Sequence, residues 1–143
     1  MSRNDLLPAK PLTPRRRRGV TIVEVAMTAP VAILLVIGLV VGGLGTFRYQ
    51  QVASLAREGA SYASVHGPKY ANRTGKPMAT TDEVMSNAIL PLAAGLDSSA
   101  LHCTCTIDKD ANIASVSLTY DWLPEAFLPA ITLGSTSVMT LEQ

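Results

Sequence analysis

The sequence has no charged side chain between Val25 and Phe47, although 16% of the whole chain is Asp, Glu, Lys or Arg. At about 1.5 Å per helical residue, a run of this length crosses a hydrocarbon core of about 30 Å. A surface helix of a water-soluble protein would instead carry charges on its outer side. The missing charge therefore predicts a transmembrane helix over residues 20–47.

Residues that carry out catalysis are also scarce. The chain has two histidines, His66 and His102, and it contains no phosphate-binding glycine loop and no paired-acid motif. Neither histidine belongs to a recognisable nucleophilic triad. Cys103 and Cys105 make a poor zinc site, because His102 is predicted on the opposite face of their strand. We therefore expect a protein that is not an enzyme and has no cofactor, no metal and no small-molecule substrate.

Cys103 and Cys105 are the only cysteines. Two positions apart along a strand, their Cα atoms would lie about 6.6–6.8 Å apart, at the outer limit of disulfide geometry. Three alternatives remain open: two reduced thiols, an internal disulfide that needs a bulge, or a disulfide between subunits.

The chain does have a concentration of positive charge before the apolar run. Residues 1–19 include Arg15–Arg18 and carry a net charge of +5, whereas the remainder carries −4. Basic residues at one end of a spanning helix place that end in the cytoplasm, so the remainder is predicted to face the periplasm or the cell exterior. The leader has prolines and no apolar periodicity, which predicts disorder. Because no folded basic domain accompanies the arginines, we expect no nucleic-acid partner.

A cleaved secretory signal would also combine a basic start with an apolar stretch. The run here is roughly twice as long as the 7–15-residue apolar part of such a signal, and no convincing small-x-small site follows it. Glu24, near the start of the run, would also bring an ordinary signal no benefit. An ordinary signal peptide is therefore the less favoured alternative.

Two motifs resemble a known family. The first, at the start of the apolar run, is Arg18-Gly19-x-x-x-Val23-Glu24-x-Ala26-x-x-x-Pro30. The second, beyond the run, is Ala56-Arg57-Glu58-Gly59-Ala60-x-Tyr62-Ala63. Both are similar to the TadE family of the tight-adherence pilus assembly machinery, and the first also resembles the processing site of type IV prepilins. The resemblance implies a prepilin peptidase that cuts between Gly19 and Val20 at the bacterial inner membrane. It also implies other pilins or pseudopilins and the pilus assembly machinery as partners.

The same resemblance implies a role for Glu24. Cutting after Gly19 would remove the arginines and create an α-amino group on Val20, and Glu24 lies one helical turn further on. Pairing with an ammonium group offsets the cost of a carboxylate near the membrane. The resemblance implies that the partner is the Val20 amine of an adjacent subunit, which would set the register during assembly. The alternative is that Glu24 faces water at headgroup level.

Within the helix, Pro30 removes one backbone hydrogen bond, which predicts a bend. Gly38 and Gly42 form a small-xxx-small pattern that is typical of close packing between membrane helices. Glycine is also simply common in membrane helices, and both interpretations remain open.

From Arg48 onward, small and apolar residues recur at helical spacing, which predicts that the helix continues over residues 48–66. Gly67-Pro68 is expected to end it, and residues 67–80 are predicted to be a loop. A short helix is predicted from Thr81, with Thr80 or Thr81 as its N-cap. The buried stripe of this short helix is expected to be Val84, Met85, Ala88, Ile89 and Leu92.

Strict alternation then predicts two strands joined by a turn at Asp108–Asn112. The first strand would bury Leu101, Cys103, Cys105 and Ile107, and the second Ala114, Val116, Leu118, Tyr120 and Trp122. A third strand is suggested by Ile131, Leu133, Met139 and Leu141. The predicted fold class is α+β: a long N-terminal transmembrane helix continuing into a periplasmic amphipathic helix, a short helix and a small antiparallel sheet of about three strands. Residues 67–143 would form the small periplasmic domain.

These observations predict a pseudopilin-like, single-pass subunit of the bacterial inner membrane that could also enter an extracellular pilus. Two other functions remain as alternatives. One is an uncleaved, signal-anchored scaffold protein, and the other is a small binding domain exported by ordinary signal cleavage.

Overall fold

The computed structural model describes residues 18–124 and 129–142. The predicted leader over residues 1–19 therefore lies outside the described residues, apart from the helical backbone of Arg18 and Gly19. The described helices are α1 (Arg18–Val65), α2 (Pro68–Thr74) and α3 (Thr81–Val84), and the strands are β1 (Leu101–Asp108), β2 (Ile113–Trp122) and β3 (Ile131–Thr140). This arrangement confirms the predicted α+β class. The chain divides into two compact units between Gly38 and Leu39.

Helix α1 has two stretches that differ in burial. From Thr21 to Val40 every side chain except Ala29 is exposed, although most of these side chains are apolar. From Val52 onward one face of the helix is buried, and its members are Val52, Leu55, Ala56, Gly59, Ala60 and Ala63. The helix ends at Val65, next to its predicted end at His66. Helical periodicity beyond Arg48 thus corresponds to a real buried face.

The prediction of a loop over residues 67–80 is wrong for Pro68–Thr74, which forms α2. Proline at the first helical position loses no intrahelical bond, because the N–H there has no partner inside the helix. Pro68 therefore ends α1 and begins α2. Gly75 ends α2 with a left-handed φ of 69°, and its N–H donates to the carbonyl of Ala71.

The short helix begins as predicted, with Thr80 as its N-cap. The Thr80 hydroxyl accepts from the backbone N–H of Glu83, and the Glu83 carboxylate accepts from the N–H of Thr80. This reciprocal pair is a capping box. Val84 opens the predicted apolar stripe and is buried.

The end of that stripe differs from the prediction, because Leu92 is 57% exposed. After α3 the chain continues as a π-helical turn over Met85–Ile89 and a 3₁₀ turn over Leu90–Leu92. These turns have different residue spacings from an α-helix, so the stripe does not continue along one face. Pro91 lies in the 3₁₀ turn, where it has no N–H to donate to an α-helical ladder.

The three strands form one antiparallel sheet in the order β1-β2-β3. Cys103 pairs with Leu118 and Cys105 with Val116, so the predicted inward residues of the first two strands share a face. The turn between these strands is held by Asp108, whose carboxylate accepts from the backbone N–H groups of Asp110 and Ala111. The opposite face carries mostly serine and threonine.

The core lies between this sheet, the buried face of α1 and the helical segment that begins at Thr81. Its largest fully buried side chains are Val52, Val84, Ile89, Val116 and Leu118. Helix α1 therefore supplies one wall of this core.

Two contacts give the direction of β2 relative to the Leu39–Val65 part of α1. Gly45 faces the ring of Trp122, and Gly59 faces Val116. The two glycines are about 21 Å apart along a helix, and the two β2 residues are about 20 Å apart along a strand. Strand β2 consequently runs antiparallel to the helix and nearly along its axis. Its Trp122 end lies beside the last residues of the apolar run.

Candidate functional site

The residues of the first motif lie at the described start of α1. Gly19 and Val20 have helical backbone, and Glu24 follows on the same helix. The Glu24 side chain is exposed, and within the described residues its carboxylate has no hydrogen bond and no ion pair. One turn further on, the Thr28 hydroxyl donates to the Glu24 carbonyl oxygen over 2.9 Å. The carboxylate is therefore free to meet a cation from outside this chain.

Helix α1 runs through Pro30 without interruption. Proline cannot donate to the carbonyl four residues earlier, which belongs to Ala26. The Thr28 hydroxyl donates to carbonyls in the same region, mainly that of Glu24. Such hydroxyls accompany proline within membrane helices, where unsatisfied backbone groups are costly. The bend expected at Pro30 stays a prediction.

Three glycines of the apolar run, Gly38, Gly42 and Gly43, have open space beside them. A Cβ atom built on any of them would have no described atom within 4 Å, apart from the nearby backbone of the helix itself. Gly38 and Gly42 therefore make no close packing contact with another part of the described chain. Their surface remains accessible to another helix.

The second motif is divided between the core and the surface. Gly59 is buried, and a Cβ there would lie 3.1 Å from Cγ1 of Val116, 3.2 Å from Cγ1 of Val84 and 3.3 Å from Cδ1 of Ile89. At distances of this size a Cβ fits only if the neighbouring side chains shift by a few tenths of an ångström. At Gly59, α1 thus packs closely against both the sheet and the short helical segment, which gives this motif position a packing reason in this chain.

The alanines of that motif are buried with Gly59, whereas Arg57, Glu58 and Tyr62 are at least partly exposed. Arg57 and Glu58 are exposed, and Glu58 lines a shallow groove with Leu92 and Leu96. Tyr62 is half-buried, with its ring stacked on His66 at a centroid distance of 4.0 Å. The motif therefore combines a structural glycine with two charged side chains that are accessible to a partner.

Cys103 and Cys105 are free thiols in the structure and lie half-buried on the inner face of β1. Burial, with a smaller contribution from Cys105, raises the pKa of Cys103 to about 11. Burial also raises the pKa of Cys105. Both thiols are thus uncharged near neutral pH and poor nucleophiles. His102 lies on the outer face, with its Nε2 3.7 Å from Asp121.

Over the described parts of the chain, no cluster of three or more His, Cys, Asp or Glu side chains could hold a metal ion.

The contact between α1 and the ring of Trp122 was not predicted from the sequence. The ring of Trp122 lies against α1, where a Cβ on Gly45 would be 3.1 Å from Cζ3 of Trp122. Nearby, the guanidinium of Arg48 donates to the Gly95 carbonyl and to Gln51 Oε1. In the sequence, the glycine at position 45 indicates this contact, but nothing separates it from the nearby Gly38, Gly42 and Gly43, which make no such contact.

Among the described residues, one helix, Thr21–Val65, is long and apolar enough to cross a membrane, and none of its most apolar stretch is buried. The model of the TadE-like protein family matches residues 19–61, which confirms the resemblance over that segment. The match includes Gly19, Glu24 and Gly59, and it ends one residue before Tyr62. Neither a curated protein nor a solved structure matches the chain significantly.

Proposed function

We propose that this chain, whose residues 19–61 match the TadE-like protein family, is a pseudopilin-like membrane subunit of a tight-adherence pilus or a related secretion machine. The observation that carries the proposal is the position of the match on α1. It covers both the apolar stretch that no other described element covers and the first part of the buried face. One helix thus joins a membrane-compatible segment to a folded domain.

The uncovered stretch supports placement in a bilayer. Side chains such as Ile22, Met27 and Leu39 are more than half exposed, and no charge interrupts the run from Val25 to Phe47. In water, a surface of this length would drive aggregation, whereas in lipid it is the favourable exterior. The basic residues before Gly19 support an orientation with that end in the cytoplasm and the domain in the periplasm.

Processing is proposed at the Gly19–Val20 bond. Hydrolysis by a prepilin peptidase would add water across this bond, leaving a carboxylate on Gly19 and an ammonium group on Val20. The leader with Arg15–Arg18 would depart, and the new ammonium group would lie one turn from Glu24. Because the Glu24 carboxylate has no partner within the described residues, it is available to the Val20 ammonium of an adjacent subunit.

Association of subunits in the membrane is proposed to use Gly38 and Gly42. A glycine at both positions lets another helix backbone approach closely, and open space beside each of them permits it. Arg57 and Glu58 present exposed charge further along the same helix. In this function the chain is a substrate of the peptidase and a structural subunit, and it catalyses nothing itself.

The deciding experiment is the intact mass and N-terminal sequence of the membrane-extracted protein from its native host. A chain that starts at Val20 supports the proposal. The variant Gly19→Val should block cleavage after residue 19. The control variant Gly43→Val, in the same helix, should be cleaved as the wild type is. A chain that retains Arg15–Arg18 would instead indicate an uncleaved anchor. A start beyond Phe47 would indicate an exported domain.

A further inference from the structure

A partly open cavity lies between α1 and the end of β2. Its volume is about 560 Å³. Helix α1 contributes Val40, Val41, Leu44 and Arg48 to its walls. The last residue of β2, Trp122, and Leu123 directly after it also line the cavity. One wall is therefore the last part of the uncharged run, and the other is the end of the sheet.

The length of the uncharged run locates this cavity relative to a bilayer. A hydrocarbon core of about 30 Å accommodates about 20 helical residues. Counted from Val25, those residues end at Leu44, and Gly45 lies at the edge of the core. Val40, Val41 and Leu44 then lie at the depth of the acyl chains, and the cavity opens beside them.

The end of β2 has the composition of a membrane-interface element. Trp122 packs on Gly45 and is half-buried, whereas Leu123 is 70% exposed, the largest fraction for a large apolar side chain beyond α1 in the described chain. Tryptophan is enriched where lipid headgroups meet acyl chains, because its ring is apolar and its N–H is polar. An exposed leucine beside it gains by entering the same layer.

Charged groups around the cavity limit how deeply this end of the domain can enter the bilayer. Three charged residues, Arg48, Asp97 and Asp121, are among those that line the cavity. The Asp121 side chain is 51% exposed and accepts from the Thr132 hydroxyl on the outer face of the sheet. Carboxylates are costly inside hydrocarbon. The sheet end can therefore reach the headgroup layer but not the middle of the bilayer.

From these observations we propose that the Trp122–Leu123 end of β2 is seated in the membrane interface, with a phospholipid acyl chain of the adjoining leaflet filling the cavity beside Leu44. The occupant is lipid because one cavity wall continues the surface of α1 that faces the bilayer. The inference rests on the membrane placement of α1 proposed above. It gives the domain a second attachment to the membrane, besides its covalent continuation from the helix.

The chain offers its own probe for a test, because Trp122 is its single tryptophan. The full chain is reconstituted in phosphatidylcholine vesicles whose lipids are brominated either near the carbonyl end or near the methyl end of the acyl chain. Bromine near the carbonyl end should remove more of the Trp122 emission than bromine near the methyl end. Equal, negligible quenching by both lipids would overturn the proposal.

Two matched variants test the role of Leu123. Leu123→Asp places a charge on the proposed interfacial tip and should reduce the quenching. Val138→Asp makes the same kind of change at another exposed position, 55% exposed and paired with Ser115 toward the other end of the sheet, and should leave the quenching as in the wild type. Equal quenching in both variants would contradict the assignment of Leu123.

Alkaline carbonate extraction of the same vesicles separates the two proposals. Protein that is extracted shows that α1 does not span the bilayer, which contradicts the proposed function. Protein that resists extraction but shows no bromine quenching contradicts the lipid assignment alone. A second copy of the chain in the cavity would protect Trp122 from bromine quenching, and this protection would disappear when the protein is diluted with lipid. That result would also overturn the lipid assignment.

Discussion

At the scale of single residues, several polar side chains of the domain have hydrogen-bond partners within the chain. Asp97 accepts from the hydroxyl and the backbone N–H of Ser99 at 2.7 and 2.9 Å, and these hydrogen bonds lower the pKa of Asp97. In the described residues no buried side-chain nitrogen or oxygen lacks a partner. Glu24 differs, because it is the single charged side chain between Gly19 and Phe47 and its carboxylate has no partner among the described residues. This contrast is why we assign its partner to another subunit.

The thiol of Cys103 leads to a prediction about pH. Burial raises the pKa of Cys103 from 9.0 to about 11, so the folded state holds this proton more tightly than the unfolded state. The resulting stabilisation is fully present below pH 9 and is lost as the pH rises toward 11. We expect the free energy of unfolding of the wild type to fall over this range relative to Cys103→Ala, measured by denaturant titration at each pH. Parallel curves for the two proteins would contradict the prediction.

At the scale of elements, the central fact is the close approach of α1 to the sheet and to the short helix. Gly59 permits it, because any side chain there would meet Val116, Val84 and Ile89. The same helix contains Gly43, which has no atom of another element near it. The two glycines of this helix thus differ in their surroundings. Gly59 is packed inside the domain, whereas Gly43 faces open space.

This difference predicts opposite results for one kind of substitution. Gly59→Val overfills a packed contact and should lower the free energy of unfolding by about 1–3 kcal/mol. Gly43→Val adds its methyl groups to open space and should leave the stability of the domain unchanged. Both are measured by denaturant unfolding of the full chain in detergent, with Trp122 fluorescence as the signal. A similar loss in the two variants would show that Gly59 has no special packing role.

The sequence predicted those elements whose pattern is local. Alternation along β1 and β2 identified their inward faces, and the Thr80–Glu83 spacing identified the start of the short helix. The same reasoning failed for α2, because Gly67-Pro68 predicts the end of α1, whereas Pro68 is also the first residue of α2. The contact between Gly45 and Trp122 could not be predicted, since it joins residues far apart in the chain and depends on how the sheet lies along α1.

At the scale of the whole molecule, α1 carries two kinds of surface along one continuous helix. Its Thr21–Val40 stretch is almost entirely exposed, and its Val52–Ala63 stretch is built into the domain core. The family match covers both stretches almost completely. The part of α1 that builds the domain core is therefore continuous along one helix with the part that carries the membrane-compatible surface.

The assembly role predicts that processing and assembly can be separated. Glu24→Gln removes the charge but keeps the shape of the side chain, so the cut after Gly19 should persist while recovery of the mature chain in detergent-stable complexes falls. The loss reflects a missing ion pair with the Val20 ammonium group, which is strong where water is scarce. N-terminal sequencing and native gel electrophoresis of membrane extracts provide the two readouts. Complexes formed as well by Glu24→Gln as by the wild type would refute the pairing.

The alignment of the strands with the Leu39–Val65 part of α1 has a mechanical consequence. In an antiparallel sheet the hydrogen bonds between strands are perpendicular to the strands. A force directed along the helix and resisted by the sheet consequently acts sideways on many of these bonds at once, whereas a force across the strands would open them one after another. The domain thus presents its more resistant geometry to a force along the Leu39–Val65 part of α1.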